Sequence, residues 1–137
     1  MSRGLLAVLI LLLAPSVGLA QANTLVVSQN KCDMAKLGDI RAFTDSAMVP
    51  IAQELVNEGK LVFYGSAYHA WGDEWNVIIY YGAESIPAFL SGFSELYARM
   101  VKKYPNAVRD FQSWCSEHKD TMYSNGKSTE PPPPRQE

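Results

Sequence analysis

The stretch YHAWGDEWNVIIYY, from Tyr68 to Tyr81, decides the fold because it predicts two antiparallel strands joined by a tight turn. Gly72-Asp73 in its centre is a two-residue Gly-X loop of the kind that forms a type II′ turn. Pairing the strands outward from this turn places His69 opposite Asn76. Because side chains alternate between the two faces of a strand, both of these polar residues are expected on the same face. The full set on that face is Gly65, Ala67, His69, Trp71, Glu74, Asn76, Ile78 and Tyr80.

A strand and a long helix are predicted before the hairpin. Residues 24–31, TLVVSQNK, begin with β-branched residues and alternate as a strand does. From Asp33 onward the apolar residues recur at steps of three and four, which is typical of a helix. Pro50 cannot donate a backbone hydrogen bond, so this helix should kink or split near Met48, and Gly59 should end it.

Two helices are predicted after the hairpin, and the first is the clearest in the chain. Residues 84–105, ESIPAFLSGFSELYARMVKKYP, begin with Ser85 as a capping residue and place their apolar side chains on one stripe. A shorter helix is expected from Asn106 onward. The stripe consists of Ile86, Phe89, Leu90, Phe93, Leu96, Tyr97, Met100, Val101 and Tyr104.

The order strand, helix, strand, strand, helix, short helix is most of a ferredoxin-like split β-α-β unit, an α+β fold with an antiparallel sheet. The usual last strand is not obvious, and DTMYS, residues 120–124, is the only candidate for it. Helices on one face of such a sheet leave the other face bare, and a second copy of the chain is the simplest cover. We therefore expect a homodimer that forms through the sheet.

The two ends of the chain differ from its middle. Gly4–Ala14 is an apolar run followed by small residues with cleavage patterns at Ala20 and Ala22, which together predict a signal peptide over residues 1–22. The run has about eleven apolar residues, short of the roughly 18 that a membrane anchor needs, so no membrane attachment is expected after cleavage. Residues 124–137 form a solvated, proline-rich tail, which leaves 23–123 as the folded domain of a periplasmic or extracellular protein.

Charge and cysteine content narrow the class of protein further. The formal net charge of −2 argues against a nucleic acid as partner, because nucleic acids reward a basic surface. The chain has two cysteines, Cys32 and Cys115, and in an oxidising compartment an even count indicates a disulfide. Two free thiols, or two metal ligands, are the alternatives.

The order of elements and the hairpin resemble the dimeric α/β-barrel superfamily, in which two ferredoxin-like units join their sheets into one barrel. HAWGDEWN, residues 69–76, together with CSEHKDTMY, residues 115–123, is similar to exported bacterial members of that group with no established activity. The resemblance covers residues 24–123. Because the superfamily includes cofactor-independent monooxygenases, isomerases, haem enzymes and proteins without known activity, it implies a fold and leaves the function open.

The polar face of the hairpin is the first candidate for a small-molecule site. Gly65 and Ala67 are small and should leave volume above the sheet, ringed by polar side chains. His69 is a candidate general base, Asn76 could orient it or donate to an oxyanion, and Tyr80 could position a substrate. Trp71 and Glu74 join this set as candidate ligand-binding residues. The alternatives are a hydrogen-bonded His69–Asn76 pair, acidic residues that only solvate the turn, and a packing role for the tryptophan.

The segment CSEHKDTMY supplies the second candidate. His118 and Asp120 would approach the hairpin if Cys115 were bonded to Cys32, and both are candidate ligand-binding residues. A metal site with nitrogen and oxygen ligands is an alternative, but no HxH or HExxH spacing supports it, and we predict neither a metal nor a cofactor.

The leading functional hypothesis is an exported protein that binds or processes a small molecule, with cofactor-independent oxygenation or isomerisation as candidate activities. The alternative is a non-catalytic envelope protein that acts through self-association or partner binding.

Overall fold

The computed structural model describes residues 22–69, 71 and 74–124. Within them, four antiparallel strands form one sheet in the order β2-β3-β1-β4, with helices against one face. The predicted signal peptide, apart from Ala22, and the predicted tail after Ser124 lie outside the described residues. No helix in the described part of the chain is both long and apolar enough to span a membrane. The strands are β1 (Thr24–Cys32), β2 (Phe63–Tyr68), β3 (Val77–Ala83) and β4 (Cys115–Ser124), and the α-helices are α1 (Leu37–Phe43), α2 (Val49–Asn57), α3 (Ile86–Lys103) and α4 (Pro105–Trp114).

The hairpin register follows the prediction made from its turn. Ala67 pairs with Ile78, and the backbone N–H of His69 donates to the carbonyl oxygen of Asn76 at 2.8 Å, which continues the ladder beyond the strand ends. The turn residues Gly72 and Asp73 lie outside the described residues. The register that the sequence predicts for the pair is therefore confirmed.

β4 completes the ferredoxin-like fold and is longer than predicted. It begins at Cys115 rather than Asp120 and pairs with β1 from Thr24↔Ser124 to Cys32↔Cys115. Nearly all of its side chains are exposed, because it is an edge strand that the helix layer covers only in part. An edge strand of this kind needs no apolar alternation, so the usual sequence signal for a strand is missing from it.

The long helix predicted from Asp33 is divided, as Pro50 requires. A 3₁₀ turn, Met34–Lys36, leads into α1, and a wide π turn, Thr44–Met48, separates α1 from α2. Pro50 then stands in the first turn of α2, directly after the π turn, where it cannot donate a backbone hydrogen bond to the preceding turn. Gly59 follows α2 with a φ of 72°, the left-handed conformation that ends a helix with little strain only at glycine.

The helix layer covers the sheet unevenly. Phe89, Leu96 and Met100 of the predicted α3 stripe are buried against the sheet, but Leu90 and Tyr97 remain about half exposed. The stripe is thus wider than the surface that α3 covers, and the excess lies beside β1 and β4 rather than in the core. The helix-free face of the sheet carries its own apolar and aromatic side chains, which are Leu25, Val27, Phe63, Ile78, Tyr80 and Tyr123.

Two helical glycines provide a matched test of how closely α3 packs. A Cβ on Gly92 would lie 2.6 Å from the carbonyl oxygen of Lys60, so Gly92→Ala should push α3 away and reduce the free energy of unfolding by about 1–3 kcal/mol. A Cβ on Gly38 would meet nothing within 4 Å, so Gly38→Ala should raise stability by about 0.5–1 kcal/mol. Urea unfolding of both variants measures these changes, and a stabilising Gly92→Ala would contradict the close contact.

Arg99 on α3 joins three carboxylates into one charged cluster. Its guanidinium donates to Glu58 at 2.8 and 2.9 Å, to Glu54 at 3.2 Å and to Glu95 at 2.9 Å. Hydrogen bonds from Arg99, and then from Lys60, lower the pKa of Glu58 to about 2 from its ordinary value of 4.5. Between these two values the folded chain binds fewer protons at Glu58 than the unfolded chain does.

The stabilisation from this cluster should therefore be present above about pH 4.5 and be lost as the pH falls through about 2. We expect Arg99→Gln to lower the melting temperature at pH 7, and the difference from the parent to shrink towards pH 2. Thermal unfolding at several pH values measures this, with Lys102→Gln on the same helix as the control for loss of one positive charge. A difference that stays constant with pH would contradict the coupling to Glu58.

Candidate functional site

A cleft of about 600 Å³ lies between the sheet and the helices α3 and α4. Its floor comes from β1 and β3, its outer wall comes from β4, and the half-exposed side of α3 lies across from that wall. Apolar and aromatic side chains make up most of its surface. Its lining consists of Val26, Ser28, Asn30, Phe43, Met48, Ile79, Tyr81, Phe89, Leu90, Phe93, Leu96, Tyr97, Met100, Val108, Phe111, Gln112, Cys115, Ser116, Glu117, His118, Asp120 and Met122.

Two polar residues of β1 interrupt the apolar floor. Ser28 and Asn30 occupy strand positions that face the helices, on the same side as Val26. Asn30 is only 4% exposed, and its Nδ2 donates at 3.3 Å to the Ser28 carbonyl and at 3.4 Å to the Val77 carbonyl. Among residues 22–69, 71 and 74–124, no donor is bonded to its Oδ1. Within the described part of the chain, the Asn30 Oδ1 is therefore an acceptor without a protein donor.

His118 and Asp120 stand on the helix side of β4, at the edge of the cleft. The His118 Nε2 lies 3.8 Å from the Asp120 Oδ2, and both side chains are largely exposed. Asp120 pairs across the ladder with Ser28, and His118 pairs with Asn30, so all four polar side chains share one face. Burial, and then the nearby charge of Asp120, raise the pKa of the Tyr81 hydroxyl, which keeps that group protonated. The cleft thus combines a hydroxyl, an amide, an imidazole and a carboxylate.

Asn76 is buried, and its amide is bonded to the end of β1. Its Oδ1 accepts from the backbone N–H of Cys32 at 2.8 Å, and its Nδ2 donates to the Cys32 carbonyl at 2.6 Å. The same Nδ2 lies 3.2 Å from the sulfur of Met34. The side chain thereby takes the place of a strand neighbour where the β1–β3 ladder stops. This geometry shows a structural bond to β1, and the role of Asn76 in catalysis stays a prediction.

The other hairpin residues do not converge on one volume. Glu74 forms an ion pair with Lys31 at 2.8 Å on the helix-free side, and Trp71 is 92% exposed. Tyr80 packs edge-on against Phe63, with ring centroids 6.3 Å apart, and its ring fills the space that a Cβ on residue 65 would need. The volume expected above Gly65 is therefore occupied by Tyr80. His69 is half-buried near the end of the hairpin strands, and its role as a base stays a prediction.

The cysteines form the disulfide that the sequence indicates. Cys32 is bonded to Cys115 over a sequence separation of 83 residues, which joins the end of β1 to the start of β4. Cys115 lines the cleft, so the bond fixes one end of its outer wall. Within the described part of the chain, no group of three histidine, cysteine or acidic residues is placed to hold a metal ion.

Sequence reasoning named His118 and Asp120 but missed the cleft they border. Two signals were available. One is the pair of polar residues, Ser28 and Asn30, at positions of a central strand that face the helices. The other is the apolar stripe on α3, which is wider than the part of the helix that packs against the sheet. Both indicate a surface that water or a ligand reaches, although neither reveals its volume.

No model of a known protein family matches the chain, and no curated protein sequence does. Solved structures do match. A dimeric ferredoxin-like protein from an uncultured marine organism has a TM-score of 0.67 at 5% identity, over 82% of this chain and 96% of the other. A NIPSNAP domain protein from Burkholderia xenovorans has a TM-score of 0.61 at 8% identity, over 79% and 99%. A proposed antibiotic biosynthesis monooxygenase from Deinococcus radiodurans has a TM-score of 0.55 at 13% identity, over 78% and 96%.

These identities are too low to transfer an activity, and what they establish is the architecture. The chain has a ferredoxin-like α+β fold, similar to the fold of these solved structures.

Proposed function

We propose that the protein is an exported small-molecule binding or processing protein that holds its ligand in the cleft between the sheet and α3. The observation that carries this proposal is the cleft of about 600 Å³, mostly apolar, with a few polar groups at its floor and edge. Ligand sites in proteins typically have volumes of about 300–1,000 Å³ and this division between apolar walls and few polar groups. The disulfide supports export, because such bonds persist in oxidising compartments.

The polar groups of the cleft suit a proton transfer. His118 and Asp120 are close enough to act together as a proton acceptor, while the Tyr81 hydroxyl and the Asn30 amide could hold a polar atom of the ligand. An isomerase and a cofactor-independent monooxygenase both need a group that removes a proton from the substrate. The name of the Deinococcus radiodurans protein supports the second of these activities by likeness of fold.

A homodimer is the expected form of the protein. The helix-free face of the sheet exposes apolar and aromatic side chains, and the structural neighbour from the marine organism is named as dimeric. In such a dimer, His69, Asn76 and Tyr80 would lie at or near the interface, and they remain a second predicted set. Sedimentation equilibrium of the mature protein measures the oligomeric state, and a monomer at all concentrations would contradict this expectation.

Large side chains at the exposed edge of the cleft, where Leu90 and Met122 lie, test the proposed site by blocking the opening, called here the cleft mouth. Leu90 and Met122 both line the cleft and are 54% and 45% exposed, so a Leu90→Trp, Met122→Trp double variant should narrow the mouth without disturbing the core. We expect it to lose most binding of N-phenyl-1-naphthylamine, a neutral dye that fluoresces in apolar surroundings. Val101→Trp is the matched control, because Val101 is exposed on the same helix but does not line the cleft.

The outcomes separate the two functional hypotheses. Dye binding that survives in the double variant, or that is absent from the parent protein, would contradict a ligand site in the cleft. The non-catalytic envelope protein would then become the better hypothesis, since the exposed apolar side of α3 would remain as a surface for association.

A further inference from the structure

The permanently charged side chains that line the cleft are all negative. Of the described residues that line it, none is lysine or arginine, and two, Glu117 and Asp120, are carboxylates. A bound anion would lose its hydration and would find no fixed positive charge to replace it. The charge of the lining therefore bears on which ligands the cleft accepts.

The two carboxylates do not act on the same side of the sheet. Glu117 pairs with Lys31 across the ladder, and its carboxylate lies 3.4 Å from the Lys31 Nζ on the helix-free side. Asp120, three residues later, faces the helices opposite Ser28. Its charge reaches the cleft floor, because it contributes to the raised pKa of the buried Tyr81 hydroxyl. Asp120 is thus the carboxylate whose charge a ligand in the cleft would meet.

Two of the polar groups in the cleft lining can accept a hydrogen bond from a ligand. The Asn30 Nδ2 is used by backbone carbonyls, whereas its Oδ1 has no donor among the residues that the structure describes. The Asp120 carboxylate is the second of these acceptors. A ligand group that donates a hydrogen bond can satisfy either of them.

The apolar walls favour aromatic rings. Phe89 and Phe93 are stacked with centroids 5.5 Å apart, and Phe93 meets Tyr81 edge-on at 5.7 Å. Such walls accept a planar ring by stacking or by edge contacts, and they also attract a cation over their faces.

We infer that the cleft takes neutral or cationic aromatic compounds that carry a hydrogen-bond donor, such as phenols and aryl amines, and that it rejects anionic analogues. This inference rests on the proposed function, because it specifies the ligand class of the same cleft.

Two dyes with one ring skeleton test this ligand class. N-phenyl-1-naphthylamine is neutral, and 8-anilinonaphthalene-1-sulfonate adds a sulfonate to the same aryl amine. At about pH 8, above the range in which histidines ordinarily titrate, we expect the sulfonate to bind the cleft at least about tenfold more weakly. The Leu90→Trp, Met122→Trp variant identifies the part of each signal that comes from the cleft.

Asp120→Asn should reduce the ratio of the sulfonate's dissociation constant to that of the neutral dye several-fold. Asp110→Asn is the control, because it removes an equal charge on α4 outside the cleft lining, and it should leave this ratio unchanged. If both dyes bind the cleft equally and Asp120→Asn has no effect, the inferred ligand class is wrong although the site stands. If neither dye binds the cleft, the proposed function fails first.

Discussion

Replacing Cys32 and Cys115 together by alanine is expected to lower the free energy of unfolding by about 4 kcal/mol. The bond closes a loop with a sequence separation of 83 residues, and opening it restores conformational freedom mainly to the unfolded chain. Because that chain then becomes more expanded, the dependence of the unfolding free energy on urea should become steeper. Urea unfolding followed by circular dichroism measures both quantities.

Reduction supplies the control for this prediction. Treating the parent protein with a reductant should lower its free energy of unfolding by a similar amount, whereas the reductant should leave that of the double variant unchanged. If the double variant were less than about 1 kcal/mol less stable than the oxidised parent protein, the unfolded chain would have to stay compact without the bond.

Asn76→Ala is expected to cost about 2–4 kcal/mol. The amide of Asn76 bonds both backbone groups of Cys32, and the side chain is 4% exposed. Its removal leaves a buried N–H and a buried carbonyl without partners, and each unsatisfied group costs about 1–3 kcal/mol. Asn76→Asp should also destabilise the fold, because a carboxylate can accept from the Cys32 N–H but cannot donate to the Cys32 carbonyl.

The matched control is Asn106→Ala. Asn106 accepts a hydrogen bond from Arg109 at the surface of α4, so its loss should change stability by less than about 0.5 kcal/mol. If Asn76→Ala proved as mild as Asn106→Ala, water would have to satisfy the Cys32 backbone. The buried contacts would then be redundant for stability.

The elements with strong local signals were predicted well. The Gly-X signal at positions 72 and 73 predicted the hairpin register, and Pro50 predicted the change in the helix near Met48. Ser85 predicted the start of α3, where its Oγ accepts from the Ala88 N–H at 3.3 Å. Each of these signals acts within a few residues of the structure it determines. β4 had no such signal, because an edge strand with polar residues on both faces differs little from a loop in its composition.

The candidate site was harder to predict for a related reason. An apolar residue such as Phe93 reads the same in a sequence whether it fills a core or lines a void, and the difference depends on where α3 lies above β1 and β4. Tyr80 and Gly65 show the converse. Two small residues predicted an open volume, but a ring from the neighbouring strand occupies it. Long-range packing decided both cases.

The position of β1 constrains when this protein can fold. The first strand of the described chain lies inside the sheet, between β3 and the last strand, β4. The pairing of β1 is therefore incomplete until β4, which ends at residue 124, has been synthesised and is free to fold. Until then β1, β2 and β3 cannot form the complete sheet. With two cysteines there is one intramolecular pairing, so the chain has no wrong intramolecular disulfide to rearrange. The last strand to be synthesised is thus the one that completes the pairing of β1, and the four-stranded sheet cannot form before it.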